Sequence, residues 1–150
     1  MNKLKTRYRK AEDSPGFMLW KASNLLQRIH TDCLKDLGVT PTQFSIMTSL
    51  LYLSQDGPVT PSLIVAHTGI DKMTVSDLLK TLVRKKLVTR CDNPNDRRSF
   101  LVQPSTIGET VTNSAIAKVE AVDTRFFDNV KSVRAFHADL AALVNSEAER

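Results

Sequence analysis

Three hydroxyl–proline pairs, Ser14-Pro15, Thr40-Pro41 and Thr60-Pro61, constrain this chain more than any other feature. A Ser or Thr oxygen accepts from the free backbone N–H groups of a helix's first turn. Proline at the next position lacks an N–H that would be unsatisfied there and has its φ preset. Each pair therefore predicts a helix start, and Thr40 with Gln43 forms a capping box. After Ser14, Leu19, Trp20, Ala22, Leu25, Leu26, Ile29, Cys33, Leu34 and Leu37 keep helical spacing as far as Gly38, which can take the left-handed conformation that ends a helix. Phe44, Met47, Leu50 and Leu51 carry a second helix to the break at Asp56-Gly57-Pro58. The third helix is short, running through His67 to Thr68-Gly69.

Asp71 predicts the cap of a fourth helix. Val75, Leu78, Leu79, Leu82 and Val83 recur on one face, and Lys72, Thr74, Ser76, Asp77 and Lys80 fall mostly on the other. Leu87 to Cys91 and Ser99 to Gln103 read as two strands around the turn formers Asp92-Asn93-Pro94-Asn95-Asp96, a hairpin with an Arg-bearing tip. Pro104 blocks continuation, and Ser105 caps a long fifth helix marked by Ile107, Val111, Val119, Val122, Phe126 and Val130. Ser132 caps a sixth with Val133, Phe136, Leu140, Leu143 and Val144. All five glycines read as punctuation and build no phosphate-cradling loop.

A chain of 150 residues is expected to form one domain. No apolar run is long enough to cross a bilayer, and no leader pattern opens the chain. Cys33 and Cys91 lack metal-ligand spacing, so a cytoplasmic setting without metal or cofactor is expected. His30, His67 and His137 have no partner at triad or metal spacing, which argues against an enzyme. The 21 Lys+Arg outnumber the 16 Asp+Glu, and the surplus sits in Lys3, Lys5, Arg7, Arg9 and Lys10 and again between Lys72 and Arg98. That placement points to a polyanion touching the middle of the chain. The basic start reads as a flexible tail over 1–13, with an arm reaching flanking phosphates as the alternative.

A short helix, a turn at Gly69 and a second helix exposing Lys72, Met73, Thr74, Ser76 and Lys80 is an arrangement that lets one helix enter a major groove. Lys donates to guanine acceptors, the hydroxyls reach bases or phosphates, and Met73 suits a thymine methyl. An ordinary helical hairpin is the competing reading of residues 60–86. At the hairpin tip, Arg97 and Arg98 suit a narrow minor groove, and Asp96 is placed to hold one Arg by a charge-assisted bond.

The stretch Asp71-Lys72-Met73-Thr74-Val75-Ser76-Asp77-Leu78-Leu79-Lys80-Thr81-Leu82, the strand Leu87-Val88-Thr89-Arg90 and the wing Asn93-Pro94-Asn95-Asp96-Arg97-Arg98 resemble the MarR-type winged-helix regulators. The resemblance runs from about Phe17 to about Leu143. It implies a mainly α fold with a small β-hairpin wing, a winged helix-turn-helix flanked by N- and C-terminal dimerisation helices. It also implies a homodimer reading a pseudo-palindromic operator in double-stranded DNA, with Arg98 in the minor groove and Asp96 orienting the wing. Three departures stand out: Asp77 where many members carry Arg, Lys86 where Gly often precedes the strand, and Pro104-Ser105 in place of a common Leu-Thr.

The chain is accordingly divided into a tail (1–13), N-terminal scaffold and dimerisation helices (14–56), a DNA-binding module (57–103) and C-terminal dimerisation helices (104–150). Phe17, Leu19, Val133, Phe136 and Leu140 are the expected dimer contacts. Many members of the family answer to small aromatic or anionic effectors or to cysteine oxidation. Trp20, His30, Met47 and Tyr52 are candidates for such a cleft, with core packing as the other reading. Cys33, near His30, reads either as an inert buried thiol or as a redox sensor. The expected function is a sequence-specific repressor relieved by a small ligand, and the alternative is a winged-helix module binding protein or RNA without reading an operator.

Overall fold

The computed structural model describes residues 4–148, so Lys3 of the basic start lies outside the described residues. Its elements are α1 (Pro15–Leu34), α2 (Pro41–Ser54), α3 (Pro61–Thr68), α4 (Lys72–Arg84), β1 (Val88–Asp92), β2 (Phe100–Pro104), α5 (Thr106–Phe127) and α6 (Val133–Ala148). The expected caps form. Ser14 accepts from the N–H of Phe17, Thr40 from Gln43, Thr60 from Leu63, Asp71 from Thr74, Ser105 from Gly108 and Ser132 from Ala135. Gly38 and Gly69 stand at φ 67° and 70°, in the left-handed region where the helices before them end.

Three boundaries correct the sequence expectation. The fifth helix stops at Phe127, and Val130 lies beyond it in a turn, its N–H donating to the Phe127 carbonyl. The strands sit one residue later than expected, pairing antiparallel from Val88↔Pro104 to Asp92↔Phe100. Leu87 is excluded from the ladder because its N–H closes the end of α4 on the Leu82 carbonyl while Lys86 donates to Val83, the bonding pattern of a Schellman motif. Proline is tolerated at the end of β2, where the chain leaves the ladder.

That motif places Lys86 at φ 60°. A side chain in this region costs about 1–2 kcal/mol relative to glycine. Lys86→Gly is therefore expected to raise the melting temperature by about 2–4 °C, for roughly 1 kcal/mol gained. A thermal scan showing no gain would contradict the strain.

One core runs from α1 to α5. Leu34 of α1, Ile46 and Leu50 of α2, Ile64 of α3, Val75, Leu79 and Leu82 of α4, and Val102 of β2 are fully or almost fully buried, with Ala115 of α5 alongside. Val59 adds a third, one-residue rung to the hairpin: the Val102 N–H donates to the Val59 carbonyl at 2.9 Å. The Lys85 ammonium donates to the Gly38 carbonyl (2.7 Å) and Gln43 Oε1 (3.1 Å), tying the end of α4 to the α1–α2 turn.

Two glycines are not punctuation. Gly16 and Gly108 lie in the first turns of α1 and α5. At Gly108 the α5 backbone lies so close to the α4–β1 turn that a Cβ there would stand 1.9 Å from the Leu87 carbonyl oxygen.

Helix α1 packs along α5. His30 Nε2 lies 2.6 Å from Asp123 Oδ1 across that contact, and Lys118 donates to Asp36 at 2.8 Å. Helices α1 and α5 cover one another, whereas α6 buries none of its described residues. Phe136 of α6 meets Phe127, with ring centroids 5.9 Å apart. The apolar residues of α6 have too few neighbours within a single chain.

Candidate nucleic-acid interface

Burial of Val75, Leu79 and Leu82 fixes the rotation of α4, and helical geometry then turns Lys72, Met73, Asp77 and Lys80 outward. Met73 is 75% exposed, while Thr74 and Ser76 are half-buried. Asp71 binds Thr74 twice, taking its N–H at 2.9 Å and its hydroxyl at 2.5 Å. These bonds from Thr74 hold the Asp71 carboxyl below its ordinary range. They also commit the Thr74 hydroxyl proton, so Thr74 presents acceptor lone pairs, which suit a base amino group and not a phosphate oxygen. Asp77 pairs with Lys80 at 3.1 Å; both are well exposed, and such a pair holds Lys80 only weakly.

Side chains hold the wing tip in shape. Asn93 Oδ1 accepts the Asn95 N–H (3.0 Å), and Asn93 Nδ2 donates to Ser99 Oγ (2.7 Å). Asp96 Oδ1 then accepts the Arg98 N–H (2.9 Å). Asp96 thus holds Arg98 by a charge-assisted bond, and the group it grips is the backbone N–H. A carboxylate two residues upstream reaches that N–H without freezing a long side chain, the usual Asx-turn economy. Arg97 and Arg98 are left exposed, in none of the ion pairs among the described residues.

Between α4 and the hairpin runs a cleft of about 580 Å³ lined by Ser76, Lys80, Arg84, Arg90, Phe100 and Val102 among others. Arg84 and Arg90 were not singled out from the sequence. Strand alternation carried the signal for Arg90, which shares a face with Val88 and, across the ladder, Val102.

The expected dimer contacts lie on α1 and α6. Phe17 stacks on Trp20 with centroids 6.1 Å apart. Leu19 and Val133 are 47% and 52% exposed, and Phe136 and Leu140 are half-buried. Leu19 and Phe136 line one apolar groove of about 520 Å³ with Met18, Leu25, Phe126 and Phe127.

The four candidates for an effector cleft are not brought together. Met47 is in the core at 3% exposure, whereas Tyr52 is 63% exposed. Five residues on one helix place them about 140° apart. Trp20 is equally exposed beside Phe17, and His30 is engaged by Asp123. Cys33 donates its S–H to the His30 carbonyl at 3.3 Å, and burial pushes its thiol up, only partly opposed by Lys118. A thiol so placed has little thiolate, which favours the inert reading. Cys91 is exposed on the hairpin. Among the described residues, no group of three or more His, Cys, Asp or Glu is arranged to hold a metal, and no helix is long and apolar enough to cross a membrane.

A capped helix-turn-helix backed by an Arg-tipped hairpin defines a winged helix-turn-helix protein, and a MarR family model matches residues 37–99. Over 135 residues the chain is 32% identical to the uncharacterized HTH-type transcriptional regulator YdcH of Bacillus subtilis (strain 168), a match covering 89% of this chain and 92% of the relative. The chain belongs to the MarR family of transcriptional regulators. Solved structures share the fold. CouR from Rhodococcus jostii RHA1, bound to p-coumaroyl-CoA, superposes with a TM-score of 0.79 at 22% identity, covering 94% of this chain and 96% of that one. A mutant MarR from E. coli, complexed with operator DNA, gives 0.76 at 24% identity over 90% and 94%.

Proposed function

We propose that the chain is a homodimeric repressor that binds a pseudo-palindromic operator in double-stranded DNA and is released by a small aromatic or anionic effector. The observation that carries this is the pairing of two cationic readers on either side of one cleft: the exposed face of α4, with Lys72, Met73, Ser76 and Lys80, and the wing tip, with Arg97 and Arg98. Residues 57–103 do the reading, and the segments 14–56 and 104–150 support and dimerise it. The dimer contacts are Phe17 and Leu19 of α1 with Val133, Phe136 and Leu140 of α6, a reading supported by the exposed apolar surface of Leu19 and Val133. The E. coli relative bound to operator DNA supports the DNA partner, and CouR with p-coumaroyl-CoA supports an anionic, aromatic class of effector. The protein works as a regulator and not as an enzyme, in the cytoplasm, where Cys33 and Cys91 stay reduced.

Selection of genomic fragments with the purified protein tests the proposal. It should enrich an inverted repeat; enrichment without any symmetric motif would contradict operator reading. On the selected duplex, Arg98→Ala is expected to weaken binding about tenfold and relax the preference for A·T-rich flanks. Lys72→Ala and Ser76→Ala should instead change preference inside each half-site, measured by titrating single-base variants.

A further inference from the structure

We propose that Arg90, laid flat on Phe100 in the α4–wing cleft, is a phosphate-binding residue of the DNA interface, and that Phe100 is its positioning residue. The proposal rests on the DNA-reading function above. In the hairpin register Arg90 lies opposite Val102, and Phe100 is two residues from Val102 on the same face, so Arg90 and Phe100 are diagonal neighbours. That face points inward, since Val102 is fully buried. Arg90, beyond that buried centre, is exposed and lines the cleft. The Arg90 guanidinium carbon lies 3.8 Å from the centre of the Phe100 ring, a close cation–π stack. Its stem shares the cleft wall with Val83 and Val102. The stack fixes the plane of the guanidinium while its edge donors remain available, which reduces the ordering entropy of binding.

The occupant follows from the groove geometry of duplex DNA. A helix in the major groove and a wing tip in the adjacent minor groove are separated by one sugar–phosphate backbone. That backbone must therefore cross the cleft between α4 and the hairpin. The side chains waiting there are Lys80, Arg84 and Arg90, with Asp77 the opposing charge, already paired to Lys80. Arg84 also donates to Thr81 Oγ1 at 3.1 Å, which leaves Arg90 as the stacked cation facing the cleft. A phosphate contact carries no sequence information, so its loss should be felt equally on all duplexes.

The test is a double-mutant cycle on random-sequence duplexes and on the selected duplex, with affinity followed against salt. Arg90→Ala should weaken both about tenfold and reduce the salt slope by about 0.9, the value for one lost phosphate contact. Phe100→Leu should weaken binding by about three- to fivefold on its own and add nothing in the Arg90→Ala background, because it acts through Arg90. Phe100→Tyr keeps the ring and should restore wild-type binding. Should Arg90→Ala fold poorly, Arg90→Lys serves in its place: it keeps the charge and so the slope, but loses the stacked fork and part of the affinity. Wild-type affinity and slope in Arg90→Ala, or losses that multiply in the double variant, would overturn the proposal while leaving DNA reading intact. A wild-type chain with no salt-dependent duplex binding would instead overturn DNA reading itself.

Discussion

Gly108→Ala is expected to lower the melting temperature by about 6–12 °C, the equivalent of about 3 kcal/mol. The added methyl would meet the Leu87 carbonyl oxygen at 1.9 Å and its carbon at 2.9 Å, both backbone atoms that no rotamer change can move away. That same carbonyl accepts the Ser105 N–H at 3.0 Å, and Ser105 Oγ donates to the Lys86 carbonyl at 2.7 Å. Relief of the clash must therefore loosen the seam joining α5 to the end of α4. The helix-forming advantage of alanine, about 1 kcal/mol, offsets only part of this. Gly16→Ala is the control, because at Gly16 the nearest atom to an added Cβ is 3.9 Å away and no left-handed φ is involved. It should match or slightly exceed the parent. Equal melting temperatures for the two variants would mean that α5 is not seated on Leu87.

The second large effect is expected from Leu19→Arg combined with Val133→Arg. Both side chains are about half exposed in the single chain, so its fold tolerates the change, whereas the proposed seating of a second copy on that face would bury two unpaired guanidinium groups. The solution mass should fall to that of a single chain. Affinity for the selected duplex should fall by about 10²–10⁴, because each reading head then binds without the effective concentration supplied by its partner. Sedimentation and titration at matched concentration check both. A variant that stays dimeric would remove α1 and α6 from the interface.

Features set within a few residues were legible in the sequence, and those set across the fold were not. Every predicted cap formed, from Ser14 to Ser132, because a cap depends on a side chain and an N–H three residues away. The outward face of α4 was legible for the same reason, through its apolar periodicity. Gly108 was misread because nothing nearby in the chain marks a close approach to Leu87, a contact 21 positions back in sequence. The Val59 rung has too short a pattern to signal a strand, and the stack of Arg90 on Phe100 depends on hairpin register. Asp96 was legible as a residue that holds an Arg, whereas the group it grips, the Arg98 backbone N–H, is set by turn geometry two residues along. The proposed effector residues failed to gather because helix phase separates Met47 from Tyr52.

The central claim, that two winged modules read the two halves of one operator, is tested most directly by a hydroxyl-radical footprint on the selected duplex with the mass of the complex measured in parallel. Two chains per duplex and two symmetric zones of protection, centred about one helical turn or roughly 10 base pairs apart, are predicted. One chain per duplex with a single asymmetric zone, or equal protection of a scrambled duplex, would contradict it.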